Sequence, residues 1–156
     1  MNDLVNQKEI NTNNWWSRGW LWIPVLGYCA FIFLFSARSD LSPPRFPSSD
    51  KVAHMLEYSV LGFLWARAAK TSWPHWTPLL LLVSTCLFTG LYGASDEWHQ
   101  SYVPGRFSDW RDAVADVCGG TLGGALYLFC LSFRNRSQDR GGSSQPSVVR
   151  LAENDE

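Results

Sequence analysis

Lys51, His54 and Tyr58 are spaced i, i+3, i+7, so on a helix they share one face. The stretch from 96 to 112, "DEWHQSYVPGRFSDWRD", adds four carboxylates, two arginines, a histidine and a glutamine. On a continuing helix Asp96 and Gln100 share a face with Glu97 beside Gln100, while Asp109, Asp112 and Asp116 form a single acidic stripe at i, i+3, i+7. An acid, a base and cations brought together this way suit two kinds of chemistry. One is recognition of a polar or anionic group, with Lys51, Arg106 and Arg111 as cationic contacts and His54, Tyr58, Glu97, Gln100, Asp109 and Asp112 around them. The other is acid/base catalysis, with Glu97 as general base, His54 as general acid or orienter and Arg106 stabilising negative charge. A third reading is structural: His54 with Glu57, Lys51 with Asp50 or Glu97, and Arg106 with Asp112 neutralise one another and hold helix ends together. Whether the protein is an enzyme stays open. No metal or other cofactor is expected, since a set of His54, Glu57, Glu97 and Asp112 contains one well-placed histidine and the chain has no H-E-x-x-H.

The elements that must position these residues are greasy. Four windows, 19–37, 52–69, 76–95 and 117–133, approach the ~20 apolar residues of a bilayer-spanning helix. The first, third and fourth contain no charge and are apolar all round, whereas a soluble bundle shows an apolar stripe and a charged opposite face. The second carries His54 and Glu57, about 5 and 9 Å below Lys51 along the axis. A glutamate at that depth needs a partner, and intramembrane charges face the bundle interior. The predicted fold class is therefore all-α: a polytopic membrane protein of four transmembrane helices in an antiparallel bundle. Pro104 and Gly105 force a turn after the third helix, and Ser108 or Asp109 caps the fourth. The first window is expected to stay in the chain, because "FSARS" is a poor cleavage site behind a long polar lead.

Segment 1–18 is expected to be a cytoplasmic N-terminal arm, 19–133 the membrane domain, and 134–156, rich in Gly, Ser and charge, a disordered cytoplasmic tail. Eight Lys and Arg fall on the side of the termini and five on the other, which places the termini in the cytoplasm and the polar loops outside a plasma membrane. Trp20, Trp22, Trp73 and Trp76 fit the inner aromatic belt, Trp98 and Trp110 the outer one. With 13 basic and 14 acidic residues the net charge is −1, so no global field recruits nucleic acid. The four cysteines lie in apolar runs without a C-x-x-C pair and read as small buried hydrophobes. Ala115, Gly119 and Gly123, and Gly120 with Gly124, make small-xxx-small steps. These serve close packing within the bundle, or a homodimer through the fourth helix.

The ordered set Lys51-x-x-His54-x-x-x-Tyr58, Asp96-Glu97-x-x-Gln100, Gly105-Arg106, Asp109-x-x-Asp112 and Gly119-Gly120 resembles the VanZ-like family over roughly residues 20 to 133. Many relatives carry Asn where Asp116 stands. The resemblance implies a cell-envelope setting and a link to resistance to the glycopeptide teicoplanin, with no established reaction. An envelope precursor or glycan is the implied ligand and the lipid bilayer the implied surroundings.

Overall fold

In the computed structural model, residues 19–38, 49–105 and 108–142 are described. They form four helices and no strand: α1 (Ile23–Ser36), α2 (Ser49–Ser72), α3 (Pro78–Gln100) and α4 (Trp110–Gly142). The all-α, four-helix expectation holds among these residues. The expected N-terminal arm and most of the expected tail lie outside them.

Helix boundaries follow from local chemistry. Pro24 is tolerated only in a first turn, so α1 starts at Ile23 behind a turn closed by Trp22 N–H donating to Gly19 O at 3.0 Å. That leaves 14 residues, about 21 Å, short of a ~30 Å hydrocarbon core. Helix α3 starts on Thr77, whose hydroxyl accepts from Leu80 N–H at 3.2 Å, with Pro78 in the first turn. It ends at Gln100, and Gly105 turns the chain with φ of 84°. Asp109 caps α4: its carboxylate accepts from Arg111 N–H at 3.0 Å, and its carbonyl from Asp112 N–H at 2.8 Å. Because no Gly or Pro interrupts Asn135–Arg140, α4 runs on to Gly142, and the boundary expected at 134 falls inside a helix.

Two helices, α3 and the Trp110–Ser137 part of α4, are long and apolar enough to cross a membrane. Helix α2, at 24 residues, has the length but carries Lys51, His54, Glu57, Arg67 and Lys70. The distribution of side chains is inverted relative to a protein packed in water. Leu79, Leu87, Leu91, Leu122, Leu126 and Phe129 face outward, while Thr85, Thr89, Asp96, Glu97, Asp112 and Asp116 are buried. Water would drive the first set in and the second out, whereas hydrocarbon does the opposite. This is a membrane protein. Cys118 and Cys130 of α4 are both exposed, so these two are not the buried cysteines expected; lipid is the apolar medium that their runs meet.

Helix α4 packs most closely on α2. A side chain at Gly119 would overlap the backbone of Met55, and one at Gly123 the backbone of Ser59. Gly62 meets Gly120 across the same crossing, and Gly120 also receives Thr89 of α3. The glycine stripes are thus spent inside the chain, where they let three backbones approach. Helix α1 leans on this unit through Val25 and Ile32, packed with Tyr58, Leu61 and Ala68, and through Tyr92, whose hydroxyl donates to Cys29 O at 2.6 Å. At the end opposite the polar cluster Trp22 packs edge-on against Trp65 and Trp73, at 5.0 and 5.7 Å, and its indole N–H donates to Ser72 at 3.1 Å.

Candidate functional site

The N-termini of α2 and α4 and the C-terminus of α3 lie at one end of the bundle, and each contributes one polar stripe. On α3 the buried positions 81, 85, 89, 93, 96, 97 and 100 follow one face, with uncharged Leu, Thr and Gly low down and acids at the tip. On α4 the buried face runs Asp112, Asp116, Gly119 and Gly120. On α2 it runs His54, Tyr58 and Leu61. The α2–α4 crossing sets the rotation that lays these faces together.

Lys51 bridges two aspartates of the α4 start, with Nζ 2.8 Å from Asp112 Oδ1 and 3.1 Å from Asp109 Oδ2. The bond to Asp112, then that to Asp109, holds the Lys51 ammonium above its ordinary pKa. Asp109 is held below the usual carboxylate range, first by the Arg111 backbone N–H and then by Lys51. One turn deeper His54 Nδ1 sits 2.9 Å from Asp116 Oδ1. Asp116 is fully buried, and its second oxygen, which has no hydrogen-bond partner, lies against Gly93, where a Cβ would come within 2.6 Å of it. Gly93 is therefore the space into which Asp116 fits. Glu97 Oε2 accepts the Asp109 backbone N–H at 2.9 Å and so ties the α3 tip to the α4 start, while Oε1 is buried without a partner. Gln100 donates to Asp96 Oδ2 at 2.8 Å within α3. His54, Glu97 and Asp112 each offer a ligand atom, all within 4.8 Å of one another.

Of the residues singled out from the sequence, Lys51, His54, Glu97, Asp109 and Asp112 converge. Gln100 is buried beside them on Asp96. Tyr58 sits below the group, fully buried, its ring 6.5 Å from that of His54. Arg106 lies outside the described residues, and Arg111 is exposed with its guanidinium 5.9 Å from the Trp110 ring. The pairings differ from those expected: His54 bonds Asp116, and Lys51 takes Asp109 and Asp112. The cause is the rotation of α2 against α4, which turns the Lys51–His54 face onto the acidic stripe. Glu57 lies within electrostatic reach of Tyr28, Tyr58 and Tyr92. Asp116 as the His54 partner and Gly93 as its pocket were not foreseen, although the 109–112–116 spacing already placed Asp116 on the right face.

Beside the cluster, a cavity of about 480 Å³ is lined by Phe33, Tyr92, Asp96, Trp98, His99 and Tyr102. Its lining is largely aromatic, with Asp96 among the residues around it.

A family model described as VanZ/LLP1 matches residues 5–131. No curated protein and no solved structure matches the chain.

Proposed function

The chain belongs to the VanZ/LLP1 family, and from that premise we propose that it binds the polar group of an envelope ligand at the Lys51–Asp112 end of its bundle. In this reading four helices cross the plasma membrane, the termini are cytoplasmic, and the polar end faces outward, in accord with the excess of Lys and Arg on the terminal side. The protein thereby lowers susceptibility to glycopeptides such as teicoplanin. The observation that carries the reading is the burial of His54, Asp96, Glu97, Asp112 and Asp116, from three helices, at one end of a bundle whose outside is apolar. Such a cluster is a costly way to join helices where apolar packing would serve. The aromatic cavity next to Asp96 gives a ligand room to enter. Since Lys51 is engaged by two aspartates, a polar ligand is favoured over a simple anion.

The test is resistance complementation by Lys51→Ala, His54→Ala and Glu97→Ala variants, normalised to their abundance in the membrane. Loss of the phenotype at equal abundance supports a binding site. Full resistance in all three variants would remove it.

A second reading is a membrane enzyme acting on a lipid-linked or peptidoglycan precursor. It draws on one observation: His54 and Glu97 offer ligand atoms within 4.8 Å, and Asp116 orients the imidazole. Glu97→Gln separates the two, because an enzyme loses turnover of the precursor while keeping its binding.

A further inference from the structure

We infer that His54, Glu97 and Asp112 form a site for one divalent transition-metal ion, zinc or manganese, at the polar end of the bundle. The inference is independent of which envelope ligand, if any, the protein binds.

The first ground is geometry. One nitrogen and two carboxylate oxygens from three helices lie within 4.8 Å of one another. Ligands about 2.0 to 2.2 Å from a tetrahedral ion stand about 3.3 to 3.6 Å apart, so the widest pair would close by up to about 1.5 Å on binding, a shift that side-chain rotation can supply. All three side chains are buried. The mixed imidazole and carboxylate set suits zinc or manganese better than calcium or magnesium, which favour all-oxygen shells.

The second ground is an unfilled acceptor. Glu97 is 5% exposed, and its Oε1 has no hydrogen-bond partner, while Oε2 is fixed by the Asp109 N–H. A buried carboxylate oxygen left this way costs energy unless a cation or proton meets it. Charge is also out of balance. Asp96, Glu97, Asp109, Asp112 and Asp116 gather here with Lys51 and His54, and the described arginines of this end, Arg38 and Arg111, are both exposed.

The third ground is the surroundings of the ligands. A metal-binding histidine commonly gives one ring nitrogen to a carboxylate and the other to the ion. His54 Nδ1 on Asp116 is that arrangement, with Nε2 as the ligating atom. Lys51 holds Asp112 through Oδ1, which directs Oδ2 to the ion. The sequence alone weighs against a metal because the set His54, Glu57, Glu97 and Asp112 holds a single histidine and no H-E-x-x-H. The set found here draws one ligand from each of three helices.

The experiment uses the full-length chain in detergent, with any affinity tag removed, stripped with EDTA and dialysed separately against zinc and manganese chloride. One ion bound per chain is expected. Glu97→Gln and Asp112→Asn should weaken binding by at least about tenfold, while His75→Gln and His99→Gln leave it unchanged. Pulsed electron paramagnetic resonance of the manganese form should show one coordinated imidazole nitrogen, which His54→Gln abolishes. Where a carboxylate variant fails to fold, that spectrum of the parent protein decides. A folded, stripped protein that binds well under one ion per chain overturns the inference. So does stoichiometric binding without an imidazole signal, or with unchanged affinity in a folded Glu97→Gln. Resistance assays do not enter, so failure here leaves the envelope-ligand reading standing.

Discussion

Replacing Gly123 by alanine would drive a methyl group into the backbone of Ser59 and Phe63 across the α2–α4 crossing. Backbone cannot swing aside as a side-chain tip can, so relief requires the two helices to part. Parting by 0.5 to 1 Å forfeits roughly a quarter to a half of the dispersion attraction of each facing atom pair. Overpacking of this kind costs about 1 to 3 kcal/mol, and here the upper end applies. Alanine gains back about 1 kcal/mol of helix propensity over glycine. The expected net loss is about 2 kcal/mol, and Gly119→Ala, which meets the Met55 backbone, should lose a similar amount. Two other glycines calibrate the scale. At Gly124 the nearest atom is the Thr85 methyl at 3.2 Å, which can yield, so Gly124→Ala should fall within about 1 kcal/mol of the parent. Gly27 has nothing within 4 Å, and Gly27→Ala should be neutral or stabilising by up to about 1 kcal/mol. Equilibrium unfolding in mixed micelles measures all four. If Gly123→Ala and Gly119→Ala track Gly27→Ala, the close crossing that lays Lys51 and His54 over α4 is wrong, and the site falls with it.

Three further outcomes are expected. Asp116→Asn keeps an oxygen acceptor for His54 Nδ1 but removes a buried charge, so the metal-free protein should gain up to about 1 kcal/mol in unfolding while zinc affinity drops roughly 10- to 100-fold; a parallel change in both would contradict the orienting role of Asp116. Gly93→Ala should cost about 1 to 3 kcal/mol by pushing on the Asp116 carboxylate, and Asp116→Ala should relieve it, with a coupling of about 1 kcal/mol or more in a double-mutant cycle; additive effects would show that the two do not touch. Tyr92→Phe removes the 2.6 Å bond to the Cys29 carbonyl and should loosen α1 by about 1 kcal/mol, read as faster maleimide labelling of Cys29; unchanged labelling would count against that link.

Apolar windows and turn residues were enough to place four helices, because the local rules governing them need no tertiary information. Pro104, Gly105 and Asp109 marked the α3–α4 turn correctly, as each acts through its own backbone or the one beside it. The apolar window 19–37 is longer than α1, because Pro24, which lacks an N–H, fits only in a first turn and sets the start at Ile23. At the far end, "NRSQDR" is polar but holds nothing that breaks a helix, so α4 continues through it. At the site, the faces were legible: 51–54–58 on α2, 96–97–100 on α3 and 109–112–116 on α4. Which face meets which was not, since that depends on the rotation of α2 against α4. The rotation is written in glycines far below the site, where Gly62, Gly119 and Gly123 allow one close approach. Spacing along one helix therefore offers Glu57 to His54 in the structural reading, whereas the helix crossing brings it Asp116 of α4.

A structural network of charges helps a fold when it closes on itself, and among the described residues this one does not. Five carboxylates gather beside Lys51 and His54, with Arg38 and Arg111 exposed at the same end, and Glu97 Oε1 and Asp116 Oδ2 have no hydrogen-bond partner. Two cations of opposite consequence could complete it. Arg106, outside the described residues, could supply a guanidinium from the loop that joins α3 to α4. A divalent ion could do so from solution, and would also convert an acidic cleft into one that accepts an anionic group. Arg106→Ala separates them. If the guanidinium completes the cluster, the variant loses about 3 kcal/mol or more, as expected when a buried charge loses its partner, and zinc recovers little because the ligands have drifted. If the ion completes it, the variant unfolds within about 1 kcal/mol of the parent at saturating zinc, and both collapse together when EDTA is added. A variant that is weak with zinc and weak without it would refute the metal as the missing charge.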